Sequence, residues 1–168
     1  AFNAAGITPI VQGNLTPWVP QLATYNIVPS TVYAVDPDFN MEQAAGETSF
    51  SASPGWHAAF DKTREMLDQG CFNDNTNGTT IDQMVEAVGT GKAAMAYMLT
   101  AAMGRIAPYV EQGGHFGMMP LPAVNDPSQV YVLAFPLNSY GVYSKTKHPA
   151  EAKAFVAFMT RPEIMQLF

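Results

Sequence analysis

The apolar positions recur with helical spacing in several stretches and run unbroken in a few short ones. The clearest helical stretch begins after Ser53. Ser53 suits an N-cap and Pro54 a first helical residue. Trp56, Phe60, Thr63, Met66 and Leu67 then share one face, and Gly70 marks the stop. Trp56 and Phe60 are expected in the core. Thr80 with Gln83 predicts a capping box, followed by the stripe Ile81, Met84, Val85 and Val88 up to Gly89. Thr100 is expected to cap a further helix with Met103, Ile106, Ala107 and Val110 inward. Pro108 should bend it, and Gly113-Gly114 should close it. Pro149 opens a helix with Ala152, Phe155, Val156 and Met159 inward, and Arg161-Pro162 breaks it to start another.

The unbroken apolar runs read as strands. Residues 7–11 form a short buried strand or extended segment, ended by Gly13. Residues 93–99 predict a strand covered on both faces. Residues 116–119 predict a third, and residues 130–135 and 140–143 two more around Pro136 to Ser139. Residues 17–32 hold a helix within a Pro-punctuated aromatic region, and Asp36-Pro37 starts a short helix or turn ending near Gly46. Helices alternating with strands predict an α/β architecture.

Composition narrows what such a chain does. Only 13% of its 168 residues are charged, about half the usual share of roughly 25%. Residues 1–35 carry no charge and no His. The net charge is −6, and the densest basic stretch is Lys145, Lys147 and His148. Nucleic acid and anionic membrane surfaces both call for basic clusters, so neither is an expected partner. The long uncharged runs are interrupted by Pro, Asn and Gln, which argues against a membrane span. Cys71 is the single cysteine, so no internal disulfide forms. It reads as a small buried hydrophobe.

Motifs for catalysis or cofactors are missing. Gly89-Thr90-Gly91-Lys92 lacks the first Gly and the Ser or Thr of a phosphate loop, having Glu86 and Ala93 there. Asn73, Asn75 and Asn77 imitate half a calcium loop, but position 12 is Met84 and the donors are amides, so a solvated loop is the better reading. His57, His115 and His148 are dispersed, and no Gly-x-Ser-x-Gly elbow occurs. No catalytic residue, metal or cofactor is therefore expected.

What remains is a surplus of aromatic and neutral hydrogen-bonding residues near element ends. Asn14 and Trp18 lie in one loop, Tyr97 and Thr100 where a strand meets a helix, and Asn138, Ser139 and Tyr140 between two strands. Open α/β sheets place ligands at strand ends. Aromatic faces cover sugar C–H surfaces, while amides and hydroxyls bond sugar OH groups. The candidate ligand-binding set is thus Trp18, Asn14, Tyr97, Thr100, Asn138 and Tyr140.

An ordered series of segments carries a family resemblance. It comprises Ala4-Ala5-Gly6-Ile7-Thr8-Pro9-Ile10, then Trp18, Met66-Leu67-Asp68-Gln69-Gly70-Cys71-Phe72 and Gly91-Lys92-Ala93-Ala94-Met95. Phe116-Gly117-Met118-Met119-Pro120-Leu121-Pro122 and Gly141-Val142-Tyr143-Ser144-Lys145-Thr146-Lys147-His148-Pro149 complete it. In this series the chain resembles the extracellular solute-binding proteins of ATP-driven (ABC) sugar importers, the family that includes maltose-binding protein.

The resemblance implies a periplasmic-binding-protein-like (type II) α/β fold, mostly the C-terminal lobe of a two-lobe protein. Residues 1–122 would be that lobe, residues 123–129 a hinge, and residues 130–168 a partial return into the first lobe. The chain would then be a fragment whose first lobe is missing. The resemblance also implies a small-molecule carbohydrate as ligand, ABC permease subunits as partners, and a location at the cell surface or in the periplasm, with a lipoprotein anchor on the full-length protein. It matches Trp18 to a loop aromatic of the cleft. The family's stacking Trp after Met95 is absent, with Ala101 near its place, so either Tyr97 or Tyr140 would replace it or the ligand is not an ordinary sugar. A carbohydrate-active enzyme domain and a non-transport surface-binding module are the alternatives.

Overall fold

The computed structural model describes residues 1–111, 114–134 and 139–166. The chain divides into two compact units, residues 1–133 and 134–168.

The first unit is built on strand β1 (Thr8–Val11) paired in parallel with β2 (Ala93–Ala96). The register sets Thr8 opposite Ala93, Ile10 opposite Met95 and Val11 opposite Ala96. On the other side of β1, Phe72 forms an isolated parallel bridge to Ile10. Parallel pairing needs a long crossover. Here the chain between the strands supplies helices α1 (Gln21–Val28), α2 (Phe39–Ala45), α3 (Pro54–Asp68) and α4 (Ile81–Gly89).

Local signals set the ends of these helices. The Ser53 hydroxyl accepts the Trp56 N–H, with Pro54 at the first turn of α3. At α4 the box is complete: Gln83 N–H donates to the Thr80 hydroxyl, and Thr80 N–H donates to Gln83 Oε1. After α1 the chain widens into a π-helical turn, Pro29–Tyr33, in which Ala34 N–H donates to the Pro29 carbonyl five residues back. Pro29 has no N–H to continue the ordinary ladder.

Two apolar clusters hold this unit. Ile10, Val11, Val19, Leu22, Met84, Ala93 and Tyr97 pack around the strands. Ile27, Val28, Val32, Phe39, Trp56, Ala59 and Ala123 pack around α3, and Met66 and Leu121 touch both clusters. Cys71 is half-buried against the first.

Several expectations need correction. Phe60 is 54% exposed and leans on Trp56, ring centroids 5.8 Å apart, so it lies outside the core; Leu67 is exposed too. The buried face of α3 runs instead through Trp56 and Ala59. The second strand stops at Ala96, and Met95 is 38% exposed, so it is not covered on both faces.

Residues 116–119, 130–134 and 140–143 are irregular, not strands; residues 135–138 lie outside the described residues. A strand is stable only with a neighbour to take its backbone groups, and among the described residues nothing pairs with these segments. Thr100 does not cap a helix. It opens a 3-10 turn, Thr100–Ala102, before the short α5 (Met103–Ile106) and a second 3-10 turn at Ala107–Tyr109. Pro108, lacking an N–H, fits that fragmentation. Of the expected Gly113-Gly114 stop, Gly113 is outside the described residues.

Residues 123–131 pack within the first unit. Ala123 is buried, a 3-10 turn at Pro127–Gln129 is capped by Asp126, and Tyr131 N–H donates to Ser30 Oγ at 2.9 Å. The second unit contains α6 (Pro149–Met159) and α7 (Pro162–Met165). Phe155, expected inward on α6, is 60% exposed, and the Arg161 guanidinium lies over the Phe158 ring. Among the described residues no helix is long and apolar enough to cross a membrane.

Candidate functional site

Because β1 and β2 run parallel with Val11 opposite Ala96, residues 12–18 and residues 97–100 leave the sheet at the same, carboxyl, end. The Phe72 bridge sends Asn73 to that end as well. Three connections therefore converge there.

The first is pinned by glycine. A Cβ on Gly13 would stand 2.5 Å from Met84 Sδ and 2.8 Å from the Thr80 carbonyl oxygen. Only glycine lets β1 exit this close to the start of α4. The loop that follows is tied to the Asn-rich segment 73–79. Asn14 N–H donates to the Thr76 carbonyl at 2.8 Å, Leu15 N–H to that of Thr79, and Asn14 Nδ2 to Asn77 Oδ1 at 3.2 Å. Thr16 Oγ1 accepts the Ile81 N–H, one of the open donors at the start of α4. Trp18 stands in this braced loop with 42% of its surface exposed.

Beneath it, Gln12 is buried. Its N–H donates to Asn73 Oδ1 at 2.8 Å and its Nε2 to the Val19 carbonyl, while Asn73 Nδ2 reaches Thr79 Oγ1. Gln12 Oε1 and Asn14 Oδ1 are buried acceptors with no protein donor among the described residues. Buried polar atoms are rarely left so.

The second expected aromatic sits differently. Tyr97 is 6% exposed, its ring 6.4 Å from Phe72 and its hydroxyl donating to Met66 Sδ at 3.2 Å. Burial, with the Cys71 thiolate as the lesser cause, pushes its phenol up to about 12. It is a packed core tyrosine at the β2 exit, not a presented stacking face. Thr100 is exposed three residues on. Tyr140 is exposed in the second unit, and Asn138 lies outside the described residues.

The structure thus brings Asn14 and Trp18 to one sheet end with Tyr97 and Thr100. It adds three residues that sequence reasoning passed over: Gln12, Asn73 and Asn77. Gln12 carries a weak signal as a polar residue directly after an apolar strand. The two asparagines belong to the loop read as merely solvated.

Residues 4–166 match the profile of the bacterial extracellular solute-binding proteins. The chain belongs to this family. Comparison with curated proteins gave no match. Family membership brings a periplasmic-binding-protein-like fold, a role in binding a small-molecule solute outside the cytoplasm for an ABC importer, and a generally non-enzymatic character.

Proposed function

We propose that this solute-binding chain takes a carbohydrate at the carboxyl end of its sheet, which forms one wall of a cleft, and delivers it to the permease of an ABC importer. The observation that supports this reading is the braced loop. Trp18 is exposed in this loop, and Asn14, bonded to Asn77, stands four residues before it in the same connection. An aromatic face covers the C–H side of a sugar ring, and neutral amides exchange hydrogen bonds with its hydroxyls.

The other wall belongs to a further lobe of the same protein, with the full-length protein exported and lipid-anchored. Closure of the two walls on the ligand adds contacts that the open form lacks, so the ligand shifts the equilibrium toward the form that docks on the permease.

A panel of mono- and oligosaccharides, titrated by calorimetry and recovered for product analysis, tests this. Saturable binding of a sugar recovered intact supports it. Cleavage of the sugar, or failure of every carbohydrate to bind the full-length protein, overturns it.

A further inference from the structure

A second concavity in the first unit has a different chemistry. It is a groove of about 800 Å³ running beside β2, with the segment 115–122 along its other side. Its described lining contains no Asp, Glu, Lys or Arg. Its side-chain heteroatoms are five methionine sulfurs together with those of Asn26, Tyr97 and His115. The chain has ten methionines, and Met95, Met98, Met103, Met118 and Met119 all line this groove, joined by His115. Met95 and Met98 are three apart on and just after β2, Met103 opens α5, and Met118 and Met119 follow His115 by three and four positions. Met95, Met103, Met118 and Met119 are 38–66% exposed, so their sulfurs are not locked into the core.

Apolar filling alone does not call for this composition. Leu and Ile fill space with better-defined rotamers, whereas Met adds a polarisable thioether. Thioethers are soft neutral donors that favour Cu(I), and imidazole is a compatible companion. Hard cations need several oxygen donors, and the groove has no carboxylate, its side-chain oxygens being those of Asn26 and Tyr97. Among the described residues no three of His, Cys, Asp and Glu gather into a conventional cluster anywhere.

We propose that this groove binds one soft monovalent metal ion, Cu(I), through thioethers drawn from Met95, Met98, Met103, Met118 and Met119 and the imidazole of His115. Its proposed donors are separate from Trp18, Asn14 and the Asn-rich loop, although Tyr97 lines the same groove. A neutral donor set leaves the bound ion with its full single charge, and a monovalent ion tolerates that in apolar surroundings better than a divalent one.

Silver(I), which shares the donor preference and needs no reductant, is the probe. The chain labelled with methyl-13C methionine is titrated with silver nitrate and followed by NMR. The titration uses a Cys71→Ala background, so that the single thiol does not compete. Single Met→Leu substitutions assign the signals. The groove methyls should shift together and saturate near about one equivalent. Met41, Met66, Met84, Met159 and Met165 are the internal controls, and two of them, Met41 and Met165, are exposed at 74% and 50%.

Met→Leu changes conserve volume, so the triple change at Met95, Met98 and Met118 should keep the far-UV circular dichroism and lose roughly tenfold or more in affinity. The proposal is overturned if the groove methyls stay still. It is equally overturned if Met41 and Met165 respond at the same silver concentration, or if the triple variant binds as well as its parent. Should the triple variant not fold, the methyl map of the parent decides alone.

Discussion

The backbone N–H of Gln12 donates to Asn73 Oδ1 across 2.8 Å, joining the exit of β1 to the loop after Phe72. The two residues are 61 positions apart, and this bond holds the base of the loop that presents Trp18. Asn73→Ala removes the acceptor and leaves a buried N–H without a partner. The cost expected from such a loss is about 1–3 kcal/mol. Urea unfolding should show the midpoint fall with the slope unchanged, and carbohydrate affinity should fall with it.

The two tryptophans should separate binding from stability. Trp18 is 42% exposed, whereas Trp56 is buried among Phe39, Phe50 and Phe60. Trp18→Ala should leave the melting temperature nearly unchanged while carbohydrate affinity drops roughly tenfold or more. Trp56→Ala should cost about 3–5 kcal/mol of stability. Paired thermal melts and calorimetry distinguish these outcomes.

A pair of glycine substitutions tests how closely α3 lies against the π-helical turn. A Cβ on Gly55 collides with the Thr31 carbonyl oxygen and comes within 2.9 Å of its carbon. Both are backbone atoms and cannot rotate aside. Gly→Ala in a helix ordinarily gains up to about 1 kcal/mol, but forced overpacking costs about 1–3 kcal/mol. Gly55→Ala is therefore expected to destabilise. Gly104→Ala, where nothing lies within 4 Å, should be neutral or stabilising. Denaturant midpoints of the two variants report the difference in sign.

Alkaline pH should weaken the fold through Tyr97. Its phenol is raised from 10.0 to about 12, chiefly by burial. Between those values the unfolded chain releases a proton that the folded chain keeps. Stability is thus whole below pH 10 and declines as pH rises toward 12, by about 3 kcal/mol for a shift of this size. Tyr97→Phe should flatten that part of the decline in urea midpoints measured across this range.

The elements legible in the sequence were those with local chemical signatures. Ser53 with Pro54 and Thr80 with Gln83 fixed two helix starts, because a cap is made by neighbours in the chain. The strands around Ile10 and Met95 were legible as apolar runs. Residues 116–119 carry the same pattern yet are irregular, because a strand also needs an edge to pair with, and the pattern does not state whether one is there. Phe60 and Phe155 have helical spacing, but which arc of a helix meets the core depends on what packs against it, and here Ala59 rather than Phe60 faces inward.

Of the candidate site, the placing of Trp18 and Asn14 in a loop at a strand end was legible in the sequence. Gln12, Asn73 and Asn77 were not, since their partners lie 61 to 63 residues apart. Tyr97 read as an open aromatic because its contacts to Met66, 31 residues away, and to Phe72 are also remote in sequence.

The most direct measurement of the central claim is a carbohydrate titration of the full-length protein, read in parallel by calorimetry and intrinsic tryptophan fluorescence, for the parent and for Trp18→Phe. A saturable emission change is expected in the parent that disappears in Trp18→Phe, with calorimetric binding weakened but present. A sugar that binds by calorimetry with Trp18 silent, and with equal affinity for both proteins, would contradict it.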